Sequence, residues 1–291
     1  MPNSKIHIKT SIVAFLKLIR SFNLIILAFT QYMCRYFIIG RGEESISTII
    51  GDWRFFILVV CTIFVAAAGY IINDYYDIKI DLINKPKRVV LGKILHRRIA
   101  LISHTILNVL ACLLAIFLGK EIFTIIVITT LLMWLYANQL KRIALFGNIL
   151  ISVLTGIAVY LPALLYAPLQ QTLLLYAFFA FFISLIREII KDMEDVKGDE
   201  EFGCKTLPII WGIRKTKYFI YLIGLLCIGS ICIILYFADT TIQLYFLAIP
   251  GPLFIWLGIR LFHADTSAQF LALSNFCKWI MLVGVISMIF L

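Results

Sequence analysis

The chain has 291 residues, of which 62% are hydrophobic and 14% are charged, and its formal net charge is +10 at pH 7. An average soluble domain has about 45–50% apolar and about 25% charged residues, so this composition excludes an ordinary soluble protein. The basic residues gather in loops between apolar runs, which is typical of membrane topology and argues against a nucleic-acid partner. No linker rich in Pro, Gly or Ser interrupts the sequence, so we expect one transmembrane domain over residues 1–291.

Apolar runs of about 20 residues, long enough to cross a bilayer as a helix, recur along the chain. Only Gly119, Lys120 and Glu121 separate the third run from the fourth, which is enough for a tight turn. The basic N-terminal segment precedes the first run without a small-residue cleavage site, so we expect an uncleaved first span. The pattern predicts nine membrane-spanning helices, near residues 17–39, 54–73, 99–118, 122–140, 144–166, 170–190, 217–237, 241–262 and 271–290.

The basic residues also predict which side of the membrane each loop faces. Lys and Arg are abundant before the first span and in the loops after the second, fourth and sixth spans, and absent from the loops after the fifth and seventh. The positive-inside rule places the N-terminus and these basic loops in the cytoplasm. We therefore expect a multi-pass protein of a bacterial or archaeal inner membrane. The seven scattered Cys residues form no CxxC pair and are interpreted as small apolar residues.

The first acidic motif follows the second predicted span. Asp74, Asp77 and Asp81 are spaced i, i+3, i+7, which at about 100° per residue places them within roughly 60° of one helix face. Asn73 precedes them and supplies an amide oxygen that can join a metal shell. Arg88, in the basic loop that follows, is the favoured candidate for a phosphate contact because its planar fork grips phosphate bidentately.

The second acidic motif follows the sixth predicted span and has the same spacing, with Asp192, Asp195 and Asp199. Arg187 and Lys191 lead into it. The charge pattern puts both motifs on the cytoplasmic side, where we expect their carboxylates to face one cavity.

Glycines in and after the second motif, Gly198 and Gly203, predict a helix that ends in a flexible loop able to close over substrate. Further polar residues lie at the predicted inner ends of other spans and predict a shared pocket: Asn23, Tyr136, Lys141 and Asn148.

Carboxylates stacked on one helix face repel one another, and each costs roughly 2.5–3.5 kcal/mol near a bilayer centre. A hard divalent cation compensates such an arrangement, and Mg²⁺ in particular binds one or two carboxylates together with substrate phosphates. The two motifs therefore predict a membrane enzyme that acts on a diphosphate.

The paired motifs and the helical topology are similar to the UbiA superfamily of intramembrane prenyltransferases across essentially the whole chain. That resemblance implies an all-α bundle of about nine transmembrane helices around a central cavity, with two Mg²⁺ ions that bind a prenyl diphosphate. It implies metal ligands at Asn73, Asp74, Asp77, Asp81, Asp192, Asp195 and Asp199. It implies catalytic roles for Asp77, Asp81, Asp192 and Asp195, and contacts to the diphosphate or the cavity from Asn23, Arg88, Lys141 and Asn148. From their positions beside the motifs and the pocket, we further predict a catalytic role for Tyr136 and diphosphate contacts from Arg187 and Lys191.

Within that superfamily, the second motif and its flanks are most similar to the digeranylgeranylglyceryl phosphate synthase branch. The resemblance implies transfer of a geranylgeranyl group to the free hydroxyl of geranylgeranylglyceryl phosphate, with release of diphosphate. Relatives often continue the first motif as NRPxRPxPSG, whereas here the loop runs from Asn84 to Gly92 as NKPKRVVLG and lacks the later Pro and the Ser. This departure bears on the identity of the acceptor more than on the use of a prenyl diphosphate as donor.

Other interpretations stay open. An aromatic acceptor of quinone synthesis fits the same motifs, and haem farnesylation fits the NxxxDxxxD pattern of Asn73, Asp77 and Asp81. An ion-coupled transporter also places acids in membrane helices, although its sites lie near the midplane. The chain has no DGxxAR signature of a CDP-alcohol phosphotransferase. Tyr75, Tyr76 and Tyr136 are candidates for shielding an allylic cation through their ring faces.

Overall fold

The computed structural model describes residues 4–167, 170–236 and 250–290, and its regular structure within those ranges is helical. The helices are α1 (Ser4–Leu18), α2 (Ser21–Met33), α3 (Ile46–Gly51), α4 (Trp53–Asn84), α5 (Arg97–Ala115), α6 (Lys120–Asn138), α7 (Phe146–Tyr166), α8 (Gln171–Glu201), α9 (Leu207–Tyr236), α10 (Pro250–Phe262) and α11 (Ser267–Ile286). A π-helical turn at Cys34–Ile39 extends α2, and short 3-10 turns occupy Ile116–Leu118, Leu140–Arg142 and Ser287–Phe290. The all-α prediction is confirmed.

Seven helical segments among the described residues are long and apolar enough to cross a membrane: Ser21–Ile39, Trp53–Asn84, Arg97–Leu118, Lys120–Asn138, Phe146–Tyr166, Gln171–Glu201 and Ser267–Phe290. Large apolar side chains are exposed on the bundle, for example Leu225 and Ile255 at 68% each, as expected for groups that face acyl chains. The protein is therefore an integral multi-pass membrane protein. The predicted count of nine spans is not confirmed: α9 and α10 cover parts of the predicted seventh and eighth spans, and residues 237 and 241–249 lie outside the described residues.

Both helices that carry acidic motifs extend beyond the predicted apolar spans, as the helical spacing of the motifs requires. The predicted spans end at residues 73 and 190, whereas α4 continues to Asn84 and α8 to Glu201. A bilayer's hydrocarbon core needs only about 20 helical residues, so the hydrophobic pattern ends before the helix does. Gly198 lies inside α8 and does not end it, because one glycine costs a helix only about 1 kcal/mol. The chain leaves α8 at Gly203, whose φ of +68° suits glycine.

The described chain divides into two compact units, and the first contains the chain up to Phe29 together with Asp52–Leu140. In this unit α4 packs against α5 and α6. The Asp52 side chain caps α4 by accepting hydrogen bonds from the backbone N–H groups of Arg54 and Phe55. A buried cluster joins α1, α4, α5 and the loop before α5 through Ala14, Leu18, Ile71, Leu91, Leu95 and Ala100. This packing fixes the helix that carries the first motif.

The second unit contains Thr30–Gly51 and the chain from Lys141 onward. Here α8 is the central helix and packs against α7, α9 and α11. Close approach of α7 to α8 depends on Gly156, where an added Cβ would lie 3.0 Å from the carbonyl oxygen of Ala177. At the end away from the acidic motif, buried Arg35 binds Glu44 through two hydrogen bonds of 2.8 and 2.6 Å and stacks on Tyr166.

Candidate functional site

The first motif forms one face of α4, as its spacing predicts. Its side chains are half-buried near the C-terminal end of the helix. Asn73 Nδ2 donates to Asp77 Oδ2 at 2.9 Å, which fixes the orientation of both side chains. The other amide atom, Asn73 Oδ1, is buried and has no hydrogen-bond donor within the described ranges. A buried acceptor oxygen beside a carboxylate is chemically suited to a cation, because cations bind such oxygens without needing a proton.

Arg20 contacts the same face from the junction of α1 and α2. Its Nη2 donates to Asp74 Oδ1 at 2.9 Å, and its guanidinium lies 4.7 Å from the ring centroid of Tyr70. The backbone of Arg20 has a φ of 52°, an uncommon conformation for a non-glycine residue. Asn23, one helical turn further on, donates from Nδ2 to the Tyr70 hydroxyl at 3.5 Å. Asn23 and Arg20, which the sequence places together at the inner end of the first predicted span, thus both reach α4.

The loop after α4 carries Arg88, which is exposed and forms no side-chain hydrogen bond or ion pair among the described residues. The backbone N–H of Arg88 donates to the Lys85 carbonyl at 2.8 Å, so the loop turns tightly after the helix. The guanidinium is therefore available to an external anion.

The tyrosines beside the first motif do not share the acidic face. Tyr75 packs against the buried α1–α4–α5 cluster, and Arg97 lies 4.8 Å above its ring. Tyr76 lies against Tyr75, with ring centroids 5.5 Å apart. Tyr75 in particular is a poor candidate for shielding a cation at the carboxylates. Tyr136 is half-buried near the C-terminal end of α6 in the same unit.

The second motif lies on α8 in the second unit, with its three aspartates half-buried. Asn148, buried in the first turn of α7, donates from Nδ2 to Asp192 Oδ2 at 2.9 Å. Two turns further along α7, the Thr155 hydroxyl lies 3.3 Å from that of Ser184 on α8. Asn148 thus contacts a motif carboxylate directly, and its role in the site stays a prediction.

Glu188 organises the basic residues that precede the second motif. Its side chain is only 6% exposed and accepts hydrogen bonds from Arg187 Nη1 and, at 3.2 Å, from Lys191 Nζ. Arg187 and Lys191 are predicted as diphosphate contacts, yet here each is paired with this carboxylate. Glu188 lies one turn before Asp192, and that spacing was the only sequence signal for its role.

The loop that carries Lys141 is attached to the segment after α8. The backbone N–H of Lys205 donates to the Arg142 carbonyl at 2.8 Å, and Ile143 bridges to Lys205. Lys141 itself is half-buried in the 3-10 turn Leu140–Arg142. Cys204, in the loop between α8 and α9, is buried, and all seven cysteines are free.

Each motif thus belongs to a different compact unit. Over the described ranges, no three His, Cys, Asp or Glu side chains come together as a metal-binding group. Individual carboxylates instead have their own donors: Asp74 has Arg20, Asp77 has Asn73 and Asp192 has Asn148. These donors lower the repulsion within each acidic face.

A multi-pass helical bundle that presents two Asp-rich helix faces fits the class of intramembrane transferases. The chain belongs to the UbiA prenyltransferase family, whose sequence profile matches residues 27–280, and it is therefore a prenyltransferase.

Similar proteins include two from archaea named digeranylgeranylglyceryl phosphate synthase. The protein from Methanothermobacter thermautotrophicus is 36% identical over 201 residues, covering 69% of this chain and 67% of its own length. The protein from Methanosphaera stadtmanae is 31% identical over 230 residues, covering 78% of this chain and 84% of its own length.

Among solved structures, one described as digeranylgeranylglyceryl phosphate synthase in membranes superposes with a TM-score of 0.72 at 28% identity, covering 96% of this chain and 98% of its own. A UbiA homologue from Archaeoglobus fulgidus, bound to DMAPP and Mg²⁺, superposes with a TM-score of 0.63 at 16% identity, covering 95% of this chain and 99% of its own. The latter similarity shows the shared fold.

Proposed function

We propose that this protein transfers a geranylgeranyl group from its diphosphate to the free hydroxyl of geranylgeranylglyceryl phosphate and releases diphosphate. Support comes from the similar archaeal proteins, which are named for that reaction. The observation that carries the proposal is the pair of acidic helix faces on α4 and α8, each with an asparagine amide that orients one carboxylate. We further propose that both units work as one prenyltransferase domain, since the family match crosses both.

We propose Mg²⁺, with two ions, as the cofactor. The residues that would hold it are Asn73, Asp74, Asp77, Asp81, Asp192, Asp195 and Asp199. The buried acceptor Asn73 Oδ1 fits this assignment. Magnesium, when bound, supplies positive charge that stabilises the departing diphosphate.

The basic and amide side chains complete the donor site in this proposal. Arg88, exposed after α4, and Lys141, after α6, bind diphosphate oxygens through charge-assisted hydrogen bonds. Arg187 and Lys191 act from α8, where Glu188 holds both cations in place. Asn23 and Asn148 hold their neighbours Tyr70 and Asp192 at the edge of the cavity.

Prenyl transfer to a hydroxyl breaks the allylic C–O bond of the donor and forms a new C–O bond to the acceptor. The acceptor hydroxyl loses a proton, and we assign its uptake to a carboxylate of the two motifs, among Asp77, Asp81, Asp192 and Asp195. Tyr136 is the aromatic residue assigned to the allylic cation, because a ring face stabilises a cation by roughly 0.5–2 kcal/mol. The apolar bundle excludes water, which otherwise hydrolyses the donor.

Product analysis of the purified protein tests the proposal. The protein is incubated with geranylgeranyl diphosphate and Mg²⁺ in three separate reactions. The acceptor is geranylgeranylglyceryl phosphate in the first, an aromatic quinone precursor in the second and haem in the third, and mass spectrometry identifies the products. We expect a product with a second geranylgeranyl group on the glycerol-phosphate lipid. A prenylated aromatic ring or haem as the main product would contradict the acceptor assignment, and ion flux without any covalent product would favour a transporter.

A further inference from the structure

The first unit contains a mostly apolar cavity beside α4 and the start of α5, with two basic side chains in its lining. The cavity has a volume of about 390 Å³ and is lined by Tyr75, Tyr76, Ile78, Lys79 and Arg97. At about 100° per residue, Tyr75 lies about 100–160° and Lys79 about 140–160° around the helix from the three aspartates of the motif. The cavity is therefore a different place from the proposed diphosphate site.

The lining is cationic and contains no carboxylate. Arg97 stacks over the Tyr75 ring at 4.8 Å. Both Arg97 and Lys79 are exposed, and neither forms a side-chain hydrogen bond or ion pair in the described part of the chain. The hydroxyls of Tyr75 and Tyr76 add two donors at the same place. Two uncompensated cations with neighbouring hydroxyls favour a phosphate group.

The surroundings of the cavity are apolar and face the membrane. Ile78 and the Tyr75 ring pack against the buried cluster between α1, α4 and α5. Arg97 is the first residue of α5, which crosses the membrane as Arg97–Leu118 and is only 17% buried along its apolar window. Beyond Arg97, α5 exposes Leu101, Ile102 and others to the acyl chains. The cations thus lie where a membrane-spanning helix begins, at the depth of lipid headgroups.

We propose that this cavity binds the phosphate headgroup of an anionic phospholipid, with Lys79 and Arg97 contacting the phosphate and α5 contacting the acyl chains. Basic pockets between membrane helices are a general solution for anionic headgroups. The site is separate from the reaction and would hold a membrane lipid that steadies α4 against α5. The proposal does not depend on the identity of the acceptor.

Native mass spectrometry of the full-length protein tests the proposal, with phosphatidylglycerol or phosphatidylcholine added to the detergent-purified protein. We expect the wild type to retain one more phosphatidylglycerol than phosphatidylcholine. The double variant Lys79→Gln/Arg97→Gln should bind phosphatidylglycerol about tenfold more weakly. The matched control Lys87→Gln/Arg98→Gln removes two exposed cations from the same unit but outside the cavity, and it should bind within about twofold of the wild type.

Equal retention by the cavity variant, or an equal loss in the control, would overturn the proposal. Adding millimolar inorganic phosphate at constant ionic strength distinguishes a lipid site from a site for a free anion. Retention of the lipid supports the proposal, whereas its displacement by phosphate contradicts it. Helix content by circular dichroism confirms that the variants fold. Should the double variant not fold, Tyr75→Phe, which keeps the ring and removes one hydroxyl, should still weaken phosphatidylglycerol retention relative to the control, and unchanged retention would overturn the proposal.

Discussion

Asp77 and Asp192 are oriented in the same way, because each carboxylate accepts a 2.9 Å hydrogen bond from an asparagine amide. A neutral amide orients a carboxylate without cancelling its charge, so the carboxylate stays able to bind a cation. Asp74 accepts a hydrogen bond from Arg20, which supplies a positive charge to it. At the residue scale, the amide contacts make Asp77 and Asp192 good metal-ligand candidates.

Replacing Asp77 or Asp195 with Ala tests the metal-ligand assignment. We expect each variant to lose about 10²–10³-fold of Mg²⁺-dependent transfer, because the diphosphate loses charge stabilisation. Labelled geranylgeranyl diphosphate measures the transfer, and thermal unfolding in detergent checks the fold. The control Glu200→Ala changes an exposed acid beside the second motif and should retain activity. Near-normal transfer in both aspartate variants would contradict the assignment of Asp77 and Asp195 as metal ligands.

Glu188 is predicted to matter for stability as well as for the site. In Glu188→Ala the half-buried cations Arg187 and Lys191 lose their carboxylate, and breaking a buried pair in this way costs about 3–5 kcal/mol. Unfolding in mixed detergent measures the free-energy loss. Exposed Glu201 on the same helix provides the comparison, since Glu201→Ala should change stability by about 0.5 kcal/mol or less. Equal effects of the two substitutions would contradict this role of Glu188.

At the scale of elements, α7 and α8 pack along an extensive interface and approach closely at Gly156. Gly156 lets the helices approach until a Cβ at this position would lie 3.0 Å from the Ala177 carbonyl oxygen and 3.6 Å from Phe181 Cβ. Asn148 is on the same helix two turns earlier, so the contact also sets the distance at which Asn148 reaches Asp192.

Gly156→Ala should therefore destabilise the protein by about 1–3 kcal/mol, because the added methyl meets backbone rather than a movable side chain. Gly224→Ala is the matched control: on α9 nothing lies within 4 Å of the added Cβ. There, alanine's better helix propensity should leave stability unchanged or raise it by up to about 1 kcal/mol. Thermal unfolding compares both variants with the wild type, and an equal shift in both would show that α7 and α8 are not held together at Gly156.

At the scale of the whole molecule, the helical membrane class was predictable from hydrophobic runs, and the common face of each aspartate triplet was predictable from its spacing. The ends of α4 and α8 were not, because helix propensity continues past the point where hydrophobicity stops. The partner of Asp74 was not predictable either, since Arg20 is 54 residues away in sequence and reaches it only through tertiary packing. The pairing of Arg187 and Lys191 with Glu188 likewise depends on burial that periodicity does not show.

The predicted orientation of the whole chain follows from loop charges and can be tested by labelling. In a Cys232→Ser background, which removes the exposed native thiol, Lys87→Cys and Arg41→Cys place thiols in exposed loops of opposite predicted sides. We expect an impermeant maleimide added to intact cells to label position 41 and to reach position 87 only after permeabilisation. Labelling of position 87 in intact cells would reverse the proposed topology.

The length of α4 bears on how lipid substrates with charged headgroups would reach the first acidic motif. Its 32 residues extend for about 48 Å, well beyond a hydrocarbon layer of about 30 Å. Asp77 and Asp81 lie on the last turns of the helix. In the proposed reaction, a charged headgroup would therefore bind there from water while its apolar tail stays in the leaflet, and the diphosphate product would leave into the aqueous phase.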